Sequence, residues 1–309
     1  MEDKRMKWIA ILAIVLACSA ISWSQETAPS GTVPVSIVVS VEARHGKEIP
    51  VIYREDVKVL QGHDRLQVKE WVPLEKDQAG LELFLLIDDS VDTNVGLQLD
   101  DLRKFMSGQP ATTAIGVGYI RNGMVQVAQQ LTRDHALAAK ALRLPVGLTG
   151  GIASPYLAVT DLIKRWPESP NRREIFMVSS GIDALQPGPN DTYLRQSIEQ
   201  AQRAGIQVSS IYASPAGHAG HTPWLFTWGQ NNLSQLADET GGEVYMQALR
   251  EPIAFAPYLD QFADRLKHQY RLTFYAKPRK EPGFQRIALE TEVPDVELVA
   301  QDSVWVRGK

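Results

Sequence analysis

The spacing of apolar and polar residues divides the chain into three blocks. From Val33 the stretch VPVSIVVSVEARHGKEIPVIYREDVKVLQG alternates apolar and polar positions and is broken by Gly46, Pro50 and Gly62. A period of two between turn residues predicts strands and hairpins, so residues 33–78 are assigned to an N-terminal β segment. From Leu81 the texture becomes short apolar runs separated by amphipathic stretches. LELFLLI, TAIGVGY, MVQVAQQL, EIFMVSS, IQVSSIY and GEVYM read as strands. Between them lie a helix with Leu99, Leu102 and Met106 on one side, then HALAAKALRL, YLAVTDLIKRW, TYLRQSIEQAQRAG, NNLSQLADET and FAPYLDQFADRLKHQY. Thr132 or Asp134 caps the second of these, which stops before Pro145, and Gly205 ends the fourth. Asn122-Gly123 predicts a tight hairpin, which makes the third strand antiparallel to its neighbour. The last forty residues return to alternation in YRLTFYA, QRIALETEV and VELVAQDSVWV. Strands interleaved with helices call for a sheet covered on both faces. The expected fold is α/β: a three-layer, doubly wound, mostly parallel six-stranded sheet over residues 79–268, beside a β module in which segment 269–309 pairs with 33–78.

The first residues follow another rule. Lys4, Arg5 and Lys7 precede the apolar run Trp8–Ile21, and SWSQETAPSG follows. This is the order of a secretory signal peptide, assigned to residues 1–24, with 25–32 as a linker. The run is shorter than the roughly 20 residues a bilayer-spanning helix needs, so no transmembrane span is expected in the mature chain. Cys18, the only cysteine, lies inside this segment, and a chain cut near Ser24 has no thiol. Reading VLAC as a lipoprotein box gives the alternative, a mature protein anchored through Cys18. The location is secreted or periplasmic on either reading. A net charge of -4 and a pI near 5.9 give nucleic acid no electrostatic footing, while 44% hydrophobic residues suffice for a packed core.

Candidate chemistry centres on LLIDDSVDTN, where an apolar strand ends in Asp88, Asp89, Ser90 and Asp92. Ligands of open α/β sheets gather beyond the carboxyl ends of the strands. Alternate side chains, Asp88, Ser90 and Asp92, share one direction, and hard oxygen donors converging on a point suit Mg²⁺, with Mn²⁺ or Ca²⁺ as alternatives. Asp89 is read as a helix cap or a solvated acid.

These residues carry a resemblance. The stretch from about Leu81 to His268 resembles a von Willebrand factor A domain, and the whole mature chain is similar to bacterial secreted proteins of the "VWFA-related" type, whose strands before and after the domain YREDVKVLQG and HQYRLTFYA resemble. The family builds a metal-ion-dependent adhesion site from Asp-x-Ser-x-Ser, a later Thr and an Asp after the fourth strand. Matched position by position, that motif falls on Asp88, Ser90 and Asp92, on Ser154 in GGIASPY, and on Ser180 in MVSSGID. Three of the five positions depart from it: Asp92 replaces a Ser, Ser154 a Thr, and Ser180 the Asp.

The segment Ala213–Gly229 reads as a long Gly/Pro-rich loop on the same rim, with Trp224, Phe226 and Trp228 as partner-binding aromatics or as packing for the loop. His218 and His221 sit in a Gly-rich loop rather than at helical spacing and are not taken as a zinc site. The later strands supply no phosphoryl-acceptor Asp, and SSGID lacks a nucleophile elbow. The expected function is a non-enzymatic extracytoplasmic binding or adhesion protein that holds a protein or peptide partner at this rim, through Mg²⁺ where the degenerate site binds it. The alternative is a structural envelope protein with a decayed, metal-free site; a hydrolase ranks third.

Overall fold

The computed structural model describes residues 28–44, 48–147, 154–217, 223–247 and 250–309. The signal-peptide reading, Cys18, His218, His221 and most of the Gly-rich loop before Ser154 lie outside the described residues. The chain divides after Ser30, and one unit runs from Gly31 to Lys309.

In that unit the order of elements is β1 (Val33–Ala43), β2 (Val57–Gln61), β3 (Asp64–Leu66), β4 (Val68–Pro73), β5 (Leu81–Asp88), α1 (Leu99–Ser107), β6 (Thr113–Arg121), β7 (Met124–Thr132), α2 (His135–Lys140) and α3 (Pro155–Arg165). It continues with β8 (Arg172–Ser179), α4 (Thr192–Ala204), β9 (Ile206–Tyr212), α5 (Pro223–Thr240), β10 (Val244–Tyr245), α6 (Ala256–Lys267) and β11 (Gln269–Ala276). β12 (Gly283–Arg286), β13 (Ala288–Thr291), β14 (Val296–Val299) and β15 (Ser303–Val306) close the chain.

The central sheet has six strands in the order β10-β9-β8-β5-β6-β7. β5, β6, β8, β9 and β10 are parallel, and β7 runs antiparallel to β6 through a turn in which Asn122 and Gly123 both take positive φ. The fold is the expected doubly wound α/β fold, with β5 in the interior of its sheet. Successive β5 side chains go to opposite faces. Leu83, Leu85 and Ile87 pack against α1, α2 and α6, whereas Phe84 and Leu86 pack against α3, α4 and α5. All five are buried, each contributing about 1.5–3 kcal/mol of hydrophobic stabilisation. That double burial is why the run reads as continuously apolar.

Strands from both ends of the chain pair with one another. β1 lies between β11 and β14, and β4 flanks β11; β13 pairs with β2. Ile37, Val39, Leu272 and Phe274 fill the core of this module. It abuts the amino ends of β8 and β9 through a buried polar network. The Gln269 amide nitrogen donates to Glu174 at 2.7 Å and to Gln207 at 2.9 Å, and Gln207 donates to the Val38 carbonyl at 3.2 Å. Burial pushes the Glu174 carboxyl up to about 7, against the opposing effects of the Gln269 hydrogen bond and the Arg172 charge.

Two helices differ from expectation. HALAAKALRL is helical only over His135–Lys140, because the next residues are held by Tyr119, whose hydroxyl accepts from the Arg143 N–H at 2.6 Å and donates to the Ala141 carbonyl at 3.1 Å. The helix expected at NNLSQLADET begins eight residues earlier, at Pro223, where proline's missing N–H costs nothing in the first turn.

Candidate functional site

The carboxyl ends of β5, β8 and β9 meet the loops that follow them, and backbone bonds lash two of these loops together. The Asp92 N–H donates to the Ser214 carbonyl, and the Ala216 N–H to the Ser90 carbonyl, both at 2.8 Å. The chain after β9 therefore does lie on the rim beside Asp88.

Asp88 ends β5 and is 1% exposed. Its Oδ1 accepts from the Ser90 N–H at 2.9 Å and hydroxyl at 2.7 Å, and its Oδ2 from the Ser179 hydroxyl at 2.8 Å. Burial still raises its pKa, outweighing those bonds. Asp89 is neither a cap nor solvated: it is buried and forms a forked ion pair with Arg143, at 2.7 and 2.9 Å. The Arg143 guanidinium also lies 3.6 Å from the centre of the Tyr119 ring. Part of the positive charge that an acidic strand end requires thus comes from 54 residues further along the chain.

The other matched positions are distributed as follows. Asp92 caps a 3₁₀ turn, Thr93–Gln98, its carboxylate accepting from the Asn94 N–H at 2.8 Å. Ser154 is buried and caps α3; its hydroxyl accepts from the Leu157 N–H at 3.2 Å and donates to Asp183. The Ser180 hydroxyl accepts from the Ile182 N–H at 3.4 Å. Asp88 and Ser90 are thus in direct contact, while Ser154 meets an acid that the motif comparison passed over.

Asp183 lies three residues beyond Ser180 in the same loop, and its Oδ1 also accepts from the Leu185 and Gln186 N–H groups. Asp191 caps α4 through Oδ1, while its Oδ2 is buried without a partner. Burial, followed by hydrogen bonding at its own cap and the charge of Asp183, governs its pKa, which is raised. Between these acids lies Tyr156, fully buried, donating to the Gly181 carbonyl at 2.7 Å. Burial first, and then the charges of Asp191, Asp183 and Asp88, hold its pKa well above the usual value. Among the described residues, no three His, Cys, Asp or Glu side chains come together as a metal-holding group. Ser179, Asp183 and Asp191 were missed from sequence; the available signals were Asp191 immediately before TYLRQ, and an acid in the loop that had lost one at Ser180.

The aromatics 224, 226 and 228 stand on the first two turns of α5, not on a loop. Trp224 is 68% exposed, while Phe226 and Trp228 are half-buried. α5 reaches the site through a backbone contact: a Cβ on Gly229 would fall 2.4 Å from the Ser180 carbonyl oxygen, and one on Gly181, whose φ is +68°, would fall within 3 Å of the Gly229 backbone.

No protein-family model and no curated protein matches the chain. Solved structures do. A von Willebrand factor type A protein from Catenulispora acidiphila is 10% identical, with a TM-score of 0.47, covering 93% of this chain and 76% of its own. An aerotolerance-related membrane protein from Bacteroides fragilis is 12% identical with a TM-score of 0.44, covering 60% and 98%. The SpRpn10 VWA domain is 14% identical with a TM-score of 0.38, covering 60% and 96%. These are likenesses of fold. No helix among the described residues is long and apolar enough to cross a membrane.

Proposed function

We propose that the protein is a non-catalytic, extracytoplasmic binding module that captures a protein or peptide partner on the rim around Asp88. The observation that carries this is the exposure of apolar side chains at that rim, Leu97, Leu144, Val146, Leu185 and Ile253 on its loops and Trp224 on the first turn of α5, with Ile253 83% and Leu97 80% exposed. They come from four separate connections and the start of α5 at the same edge of the sheet. Apolar residues gathered around a polar centre are a mark of interaction surfaces.

The centre they surround is acidic. Asp88, Asp183 and Asp191 are each at most 2% exposed, and among the described residues no Lys or Arg pairs with them. Buried carboxylates without a counter-charge are unfavourable. They fit a small hard cation in donor chemistry, since Mg²⁺ is commonly held by one or two carboxylates with hydroxyls and waters. Asp88, Ser90, Ser154 and Asp183 are the residues that would hold it; Asp92 and Ser180, occupied by their own turns, contribute less. A bound ion would offer a partner's carboxylate a positive point. Asp88 anchors the loop through Ser90 and Ser179, Asp183 orients Ser154, and the apolar rim supplies the area of the interface.

Calorimetric titration with Mg²⁺ and Mn²⁺ tests the cation: saturable binding is expected, lost in Asp88→Ala and weakened in Asp183→Asn. Absence of heat in the unmodified protein removes the ion and leaves the metal-free scaffold. Selection of displayed peptides on the immobilised protein tests the rim. Binders should lose affinity for Leu97→Ser/Trp224→Ser, and equal binding to that variant would refute the surface.

A further inference from the structure

We propose that the cavity at the amino ends of β8 and β9 is a binding site for a small, multiply charged oxyanion of the phosphate class, held by Arg172, Arg173 and Arg271. It lies at the edge of the sheet opposite Asp88, so it is independent of the rim and of the function read there. The cavity measures about 230 Å³, and Ser36, Ser169 and Asn171 complete the polar part of its wall.

Arg172 is the first residue of β8. Its Nε and Nη1 are shut off from water and have no acceptor. Glu174, two positions along the same strand, is near enough to act on it through space, but that carboxyl is hydrogen-bonded to Gln269 instead. Arg173 donates to the carbonyls of Ala204 and Pro167, and Arg271 to the side-chain oxygen of Gln78 at 3.3 Å. Among the described residues, then, the recorded acceptors of these three guanidinium groups are neutral. No carboxylate lines the cavity. The neighbouring acid, Glu82, accepts from Trp166, Ser169 and Asn171 and acts on Arg173 only through space.

Three like charges around one cavity repel each other. An oxyanion in the cavity relieves this, because its charge offsets theirs and its oxygens accept from the guanidinium N–H groups that face it; guanidinium groups are suited to phosphate for this reason. Pockets for drug-sized ligands run to roughly 300–1,000 Å³. The smaller volume here selects a free ion or a single phosphoryl group over a nucleotide.

The test is calorimetric titration of the full chain with inorganic phosphate in a chloride buffer of matched ionic strength. Saturable binding at one site is expected, weakened roughly tenfold or more in Arg172→Gln, the loss of a charge-assisted hydrogen bond. Arg203→Gln should bind as the unmodified protein does, because Arg203 stacks on Trp305 instead of lining the cavity. If Arg172→Gln does not fold, Arg271→Gln takes its place. Glycerol phosphate as a second titrant separates the sources: binding equal to that of inorganic phosphate assigns the site to a phosphate monoester, and binding of inorganic phosphate alone to the free ion. Heat that does not saturate, or that is the same in the unmodified protein and in the cavity variants, overturns the proposal.

Discussion

Glu174 ties stability to pH in a way that a single substitution isolates. Its carboxyl is 1% exposed and titrates at about 7 instead of its ordinary 4.5. The folded protein therefore binds this proton more tightly than the unfolded chain does. The stability it contributes is complete below about 4.5, declines as pH rises through about 7, and then levels off. The displacement corresponds to about 3 kcal/mol. Glu174→Gln keeps the acceptor that Gln269 uses but removes the titration. Urea unfolding of both proteins between pH 4.5 and 8.5 should give a difference curve in which the native protein loses about 3 kcal/mol relative to the variant, most of it between pH 5 and 7. The variant is thus expected to be the more stable at pH 8. Parallel curves, or a difference that grows as pH falls, would refute the reasoning; the first would mean that Glu174 is ionised at little cost, and the second that it is paired.

Two further substitutions probe the rim. Arg143→Ala leaves buried Asp89 without its partner; breaking a fully buried pair costs about 3–5 kcal/mol, and because the Arg143 side chain is 42% exposed a loss of roughly 2 kcal/mol is expected in urea unfolding. Gly229→Ala gains about 1 kcal/mol of helix propensity, but its methyl group meets the Ser180 carbonyl and overpacking costs about 1–3 kcal/mol; a lower melting temperature, with native circular dichroism, is the expected result.

The sheet was legible because its central strands are buried on both faces and its turns need particular residues. LELFLLI could hardly be anything but a central strand. Asn122-Gly123 specifies the hairpin by its positive φ angles, and Gly205 ends α4 in the left-handed conformation. What escaped the sequence depends on distant partners. The shortened α2 follows from Tyr119 capturing the backbone around Arg143. The early start of α5 was hidden by Gly229, a poor helix former in isolation, which is tolerated because the helix rests on the Ser180–Gly181 backbone there. At the candidate site, matching a motif position by position picked out Asp88 and Ser90, which are hydrogen-bonded because their relation is local. It could not find Asp183, because what brings that acid to Ser154 is the path of a loop. Asp89 has the same lesson in reverse: its partner is visible only once β5 and the segment after α2 are folded together.

The α/β domain is inserted into the β module, entered after β4 and left into β11, and these two strands are neighbours. β1 pairs with β11 over eight residues, from Val33 opposite Ala276 to Ser40 opposite Gln269. A pull on the amino end of β1, resisted at Gln269 where the chain leaves α6, acts on opposite ends of that ladder. It loads the hydrogen bonds in shear, so that they must fail together instead of unzipping one by one.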